Sequence, residues 1–201
     1  MPPISRGFGG RPRRDVDPSR VPPGQYVVED FPVLSAGPTP RTPLDRWSLT
    51  VDGAVDQARR WSWDELRELP AETFTTDIHC VTKWSKLGTT WTGVSLDTLL
   101  ADVETEAEYL TAWSDGDYTT NLALEDVTDG KAWIAYEFDG EPLDPEHGGP
   151  ARLLVPHLYL WKSAKWIRGI TFTPYDEPGF WEAAGYHNHG DPWREQRYWN
   201  D

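Results

Sequence analysis

Cys80 is the single cysteine of this 201-residue chain and lies in the run His79-Cys80-Val81-Thr82-Lys83-Trp84-Ser85-Lys86. Four of the chain's lysines, Lys83, Lys86, Lys162 and Lys165, fall in this segment and one other, in a molecule of formal net charge −14. Such clustering is not what solubility alone requires, and it predicts a soft ligand beside an anion-binding surface. Chemistry alone leaves three readings of the thiol. A free cysteine is a small hydrophobe that is commonly buried as packing. A Cys–His nucleophile pair needs both side chains on one side, whereas on a strand His79 would point away from Cys80. A metal thiolate is the third, because sulfur is a soft ligand and nearby cations favour the deprotonated form. With no second cysteine for a Cys-x-x-Cys pair, one protein sulfur suffices only if a sulfur-bearing organic ligand completes the shell.

Two further patterns invite chemistry. Asp115 precedes Gly116 and reads equally well as a turn residue or a site carboxylate. His187-Asn188-His189 would set two imidazoles on one face of a strand, as a histidine-based metal hydrolase requires, but no third ligand is in evidence.

The elements that must position these residues are mostly strands. Trp47 to Val51 alternates like a strand and Asp52-Gly53 is a turn; Ser62-Trp63-Asp64-Glu65 is a capping box opening a short helix through Leu69 that Pro70 stops. Glu72 to His79 is a β-branched run, and Ser95 caps a second helix reaching about Val103. Tyr109 to Ser114, Tyr118 to Leu122, Ala132 to Phe138, Arg152 to Val155 and Ile167 to Thr173 read as strands separated by turn pairs such as Asp139-Gly140. Without a βαβ rhythm, the expectation is a β-dominated α+β fold with short helices. Residues 1–24, rich in proline and arginine, predict a flexible or surface-draped arm, and residues 25–201 a single domain whose aromatic tail wraps over its body.

Composition limits the partners. Thirty-three acidic against nineteen basic residues leave no broad basic face, so nucleic acid is not expected and a small molecule is. No segment has the roughly 18–20 apolar residues of a membrane helix. Arg13-Arg14 is not followed by an apolar stretch, which points to a cytoplasmic location. At this length one core can form without disulfides or an oligomer partner, and a monomer is expected.

Cys80-Val81-Thr82-Lys83-Trp84-Ser85, then Trp91 and Gly93-Val94-Ser95-Leu96-Asp97-Thr98-Leu99-Leu100, resembles the cysteine segment of the sulfite oxidase superfamily, especially the protein-methionine-sulfoxide reductase branch. His147-Gly148-Gly149-Pro150-Ala151-Arg152 followed by Trp161-Lys162-Ser163-Ala164-Lys165-Trp166 is similar to its pterin-binding segment. The resemblance covers about residues 31–170. It implies a sulfite-oxidase-type molybdopterin-binding fold of several mixed sheets, with molybdenum and molybdopterin as cofactors and Cys80 as the protein ligand to the metal. It implies also that His147, Arg152, Ser163, Ala164 and Lys165 hold the pterin and its phosphate, with Val33, Leu34, Ser35 and Asp115 nearby. The physics of these residue types agrees, since an arginine fork matches phosphate oxygens, a lysine adds a point charge and small residues let backbone N–H groups approach an anion. Lys83, Lys86 and Arg168 would add positive charge near the metal.

The departures are informative. Leu34 falls near where animal and plant sulfite oxidases carry an arginine, and the Gly-Asn-Arg-Arg type run that follows their cysteine is missing here. The resemblance therefore implies oxygen-atom transfer with reduction of a sulfoxide or other S-oxide preferred, and sulfite oxidation or a non-catalytic pterin- or anion-binding module as alternatives. The haem domain of those oxidases is also missing, so electrons would pass to or from a separate partner of haem, flavin or quinone type.

Overall fold

The computed structural model describes residues 16–201, and the first fifteen residues of the expected arm lie outside the described residues. The rest of that arm is draped on the surface with local structure of its own. Pro18–Arg20 forms a 3-10 turn capped by Asp17, and Arg20 bonds the Asp77 carboxylate at 2.5 and 2.9 Å.

Two sheets carry the fold. The first contains β1 (Tyr26–Val27), β4 (Glu72–His79), β5 (Trp84–Ser95), β8 (Trp133–Phe138), β9 (Glu141–Pro142) and β10 (Arg152–Leu154). Its pairings are antiparallel except β1 with β5, which is parallel. The second runs in the order β3 (Arg59–Ser62), β2 (Ser48–Gly53), β11 (Ile167–Thr173), β6 (Tyr109–Ser114), β7 (Thr119–Ala123), with β11 parallel to β2 and antiparallel to β6. Short helices α1 (Trp63–Glu68), α2 (Leu96–Leu100) and α3 (Phe180–Ala183) complete the β-dominated α+β domain.

Local sequence explains most of these boundaries. Ser62 accepts from the Glu65 amide while the Glu65 carboxylate receives the Ser62 amide, the reciprocal pair that starts α1. Ser95 caps α2 by accepting from the Thr98 amide, but the helix ends at Leu100, short of the expected reach to Val103. β5 is the element that local patterning hides. Its twelve residues contain Gly88 and Gly93, which weaken a strand intrinsically. Tertiary contact demands one of them: a Cβ on Gly93 would stand 2.5 Å from the Ile134 carbonyl oxygen of β8. Gly88 sits at φ +66°, where the β4–β5 register shifts, and its amide is received by Asp77 at 2.7 Å.

Strand alternation divides the interior in two. Ile134, Tyr136 and Leu153 face a large core shared with Leu49, Leu110, Leu122, Ile170 and helix residues Leu66 and Leu96. Their neighbours Ala135 and Leu154 face the opposite side of the first sheet, where they pack with Ile78, Trp84, Trp91 and Cys80. The lone thiol is thus carried on the side of the sheet away from the main core.

The tail from Pro174 is held by a buried charge pair. Glu182 of α3 receives Lys162 at 2.6 Å, with both side chains almost fully buried, and its same oxygen accepts Thr120 Oγ1 and Trp161 Nε1. Lys162, counted above among the lysines of a possible anion site, serves this pair and Asn121 instead. Removing one partner of a buried pair leaves the other charge uncompensated. Glu182→Ala is therefore expected to lower unfolding stability by about 3–5 kcal/mol, read as an earlier urea midpoint with unchanged slope.

Candidate active site

Cys80 stands at the apex of the β4–β5 hairpin. The Cys80 amide donates to Trp84 O at 2.8 Å and the Lys83 amide to Cys80 O at 2.9 Å, which closes the turn. Lys83 takes φ +77°, a left-handed backbone that costs a non-glycine residue energy, and β1 clamps it by donating Tyr26 N–H to its carbonyl. The thiol is 7% exposed and receives Thr82 Oγ1 at 3.2 Å. Burial pushes its pKa up, while the Thr82 bonds and the charges of Lys165 and Arg197 oppose that rise.

Cys80 opens onto a cavity of about 680 Å³. Of the residues expected to hold a pterin, Leu34, Ser35, Asp115, Arg152, Ser163 and Lys165 line it together with Cys80. Arg152, at the start of β10, is 2% exposed and donates to the carbonyls of His147 (2.9 Å), Ser163 (2.8 Å) and Leu153 (3.4 Å). A guanidinium has five N–H groups, so one on each terminal nitrogen stays free for an anion. Burial draws its pKa down to about 10. Lys165 donates to Leu34 O (2.8 Å) and Glu146 O (2.6 Å), and burial followed by the Arg152 charge lowers it to about 8. Among the described residues neither cation has a carboxylate partner within salt-bridge distance.

Three expected contacts fall elsewhere. Val33 is exposed and is not part of the cavity lining, and Ala164 is buried in the main core with its carbonyl bound to Leu153 N–H. His147 lies behind the wall, stacked on Phe31 at 3.9 Å, and its Nδ1 is buried without a partner. Ser163 uses its hydroxyl on Val155 N–H and its carbonyl on Arg152, so it positions the guanidinium. Asp115 bonds Thr42 at 2.5 Å and Arg168 at 3.3 Å, tying the segment before β2 to the cavity. Lys83, Lys86 and Arg168 do not line it; Lys86 is used on Glu29 O and Arg168 on Asp115, Ser48 O and Arg46 O.

The competing chemistries lose their geometry. His79 is buried against Ser85 Oγ at 2.8 Å, outside the cavity lining, and burial drops its pKa to about 4, so it is no base for Cys80. His187 Nδ1 accepts from the His189 and Gly190 amides, and His189 bonds Asp126 and Gln196. Among the described residues no cluster of three metal-ligating side chains exists.

The tail supplies walls that local patterning did not assign to a site. Phe180, Trp181 and Tyr186 line the cavity with Tyr118 and Trp161. Burial, then the charges of Tyr198 and Cys80, push the Tyr186 phenol pKa up. Only the density of aromatic residues after Pro174 hinted at this.

These residues fit a phosphate-bearing dithiolene cofactor. Two cations that have no carboxylate partner among the described residues line the space, Arg152 has N–H groups to spare, and Trp84, also on the lining, keeps a buried Nε1 without a hydrogen-bond partner. A soft sulfur opens beside them.

Known proteins agree with that chemistry. The family model for the oxidoreductase molybdopterin binding domain matches residues 36–181. An uncharacterized oxidoreductase, YuiH of Bacillus subtilis, is 45% identical over 95% of this chain and 98% of its own length. A putative protein-methionine-sulfoxide reductase subunit, YedZ1 of Azospira oryzae, is 31% identical over 69% of this chain, which spans only about half (53%) of that relative. The sulfane dehydrogenase SoxCD of Paracoccus pantotrophus shares the fold, with a TM-score of 0.63 at 23% identity over 68% of this chain and 40% of that one. No helix among the described residues is long and apolar enough to cross a membrane. The match over residues 36–181, a stretch that holds Cys80, Arg152 and Lys165, places the chain in the oxidoreductase molybdopterin binding domain family, as an oxidoreductase of the sulfite oxidase type that uses molybdopterin.

Proposed function

We propose that this protein reduces an S-oxide by oxygen-atom transfer, with electrons from a separate carrier of haem, flavin or quinone type. The observation that carries the reading is the meeting of Cys80, Arg152 and Lys165 in one cavity whose cations have no carboxylate partners among the described residues. Bound there, molybdenum chelated by the pterin dithiolene would supply two-electron oxygen-atom exchange.

The chain's own residues would do the rest. Cys80 would ligate the metal, and its hairpin turn holds the sulfur in place. Arg152 and Lys165 would hold the phosphate, while Asp115 fastens the segment from Phe31 to Thr42 over the cavity through Thr42. Tyr186, whose phenol pKa is raised first by burial, would stay neutral on the lining that it shares with Cys80. Reduction over oxidation is supported by the likeness to the named sulfoxide reductase subunit and by Leu34, an apolar residue at the cavity wall where a sulfite site would want a cation. Turnover consumes two electrons and two protons per S-oxide and yields the sulfide and water. The proposal includes action as a monomer in the cytoplasm, where a reducing compartment keeps the thiol available.

The test uses protein made in a host that synthesises the cofactor. About one molybdenum per chain is expected, together with S-oxide-dependent oxidation of reduced viologen. Sulfite-dependent reduction of ferricyanide as the dominant activity would reverse the direction, and metal-free protein with intact ligand binding would support a binder instead.

A further inference from the structure

The cavity has two chemically different walls. One carries Arg152 and Lys165; the other is built of rings from Tyr118, Trp161, Phe180, Trp181 and Tyr186. These rings touch in sequence, with centroids 5.9 Å apart for Tyr118–Phe180, 5.1 Å for Phe180–Trp181, 5.0 Å for Trp181–Tyr186 and 5.3 Å for Trp161–Tyr186. Two of the four polar handles are engaged inward: Tyr118 donates to Trp161 O at 2.5 Å and Trp161 Nε1 to buried Glu182 at 2.9 Å. Phe180 adds a ring with no polar atom to the same lining, which Cys80 shares. Phe180 is 46% exposed while lining the cavity, which sets it at the rim.

Charge narrows the ligand further. Among the described residues of the lining, the acidic and basic side chains besides Cys80, Arg152 and Lys165 come down to Asp115. Once the two cations serve the cofactor phosphate, no lining cation among the described residues is left for an anionic substrate, and Asp115, already paired with Arg168 at 3.3 Å, supplies none. Rings that stack edge to face offer their strongest contact to another ring or a bulky apolar group.

We propose that the S-oxide reduced here is an uncharged aryl sulfoxide whose ring seats against Phe180, Trp181 and Tyr186. This rests on the S-oxide reading above. With methyl phenyl sulfoxide the S–O bond breaks, sulfur gains two electrons from an added one-electron donor such as reduced viologen, two protons are taken up, and methyl phenyl sulfide and water leave.

The test has two readouts on the holoenzyme. Quenching of tryptophan fluorescence measures binding of methyl phenyl sulfone and dimethyl sulfone as unreduced stand-ins, and viologen oxidation compares kcat/KM for methyl phenyl sulfoxide and dimethyl sulfoxide. A preference for the aryl compound of about tenfold or more is expected in both, given the apolar area that a phenyl ring buries beyond a methyl. Phe180→Ala should shrink both ratios severalfold. Trp199→Ala should not, because that ring is 78% exposed and does not line the cavity. Equal affinity for the two sulfones, or displacement of the aryl sulfone by equimolar sulfite, would overturn the inference. Aryl preference in binding with no reduction of either sulfoxide would sink the reductase reading and keep the aryl seat; reduction without preference would do the opposite.

Discussion

Cys80→Ser is expected to lower turnover by about a hundredfold or more, since even an outer partner of a metal ligand commonly matters by 10–100-fold. Molybdenum per chain should fall with it, because a neutral hydroxyl is a poor replacement for a soft thiolate. The fold should survive. Cys80 packs in the smaller apolar cluster with Ile78, Trp84 and Trp91, and a one-atom change there costs about 1 kcal/mol. The hairpin is closed by backbone bonds that serine keeps. Metal and pterin analysis, turnover and a thermal midpoint on one preparation separate the effects. Full activity in the serine variant would return the thiol to simple packing.

Arg152→Ala is expected to strip most of the pterin, by about tenfold in cofactor per purified chain, whereas Lys86→Ala should keep it. The difference comes from burial. Arg152 is enclosed and offers the fork to the cavity, while Lys86 is spent on Glu29 O outside the lining. The alanine variant also leaves the carbonyls of His147 and Ser163 without their donors, which adds a destabilisation of about 2–4 kcal/mol. Arg152→Lys controls for that loss: it keeps a cation but not the planar fork, and intermediate pterin retention with near-native unfolding is expected. Equal pterin content across the alanine variants would remove Arg152 from its role as anchor.

The strands that read directly from the chain are those whose pattern is local. Glu72–His79, Tyr109–Ser114 and Ile167–Thr173 have the expected bounds because β-branched or alternating residues meet clear turn signals at both ends. β5 escaped that logic, since its glycines answer to the β8 backbone and to the register shift opposite Asp77. The lysines teach the same lesson for the site. Four of them share two short segments, yet only Lys165 faces the cavity, because one step along a tight turn or strand redirects a side chain.

What the sequence determined by itself was the chemistry on offer: one thiol, a basic segment around Arg152 and Lys165 in an acidic chain, and a composition that favours a small ligand. These follow from residue types and their neighbours along the chain. The tertiary structure decided which groups meet. It folded His79 away from Cys80, set His147 behind Phe31, committed Lys162 to Glu182, and brought Phe180, Trp181 and Tyr186, a long way downstream in the chain, onto the cavity that the thiol shares. Contacts at that separation depend on sheet pairing and on the burial of one charge pair, which no local window contains.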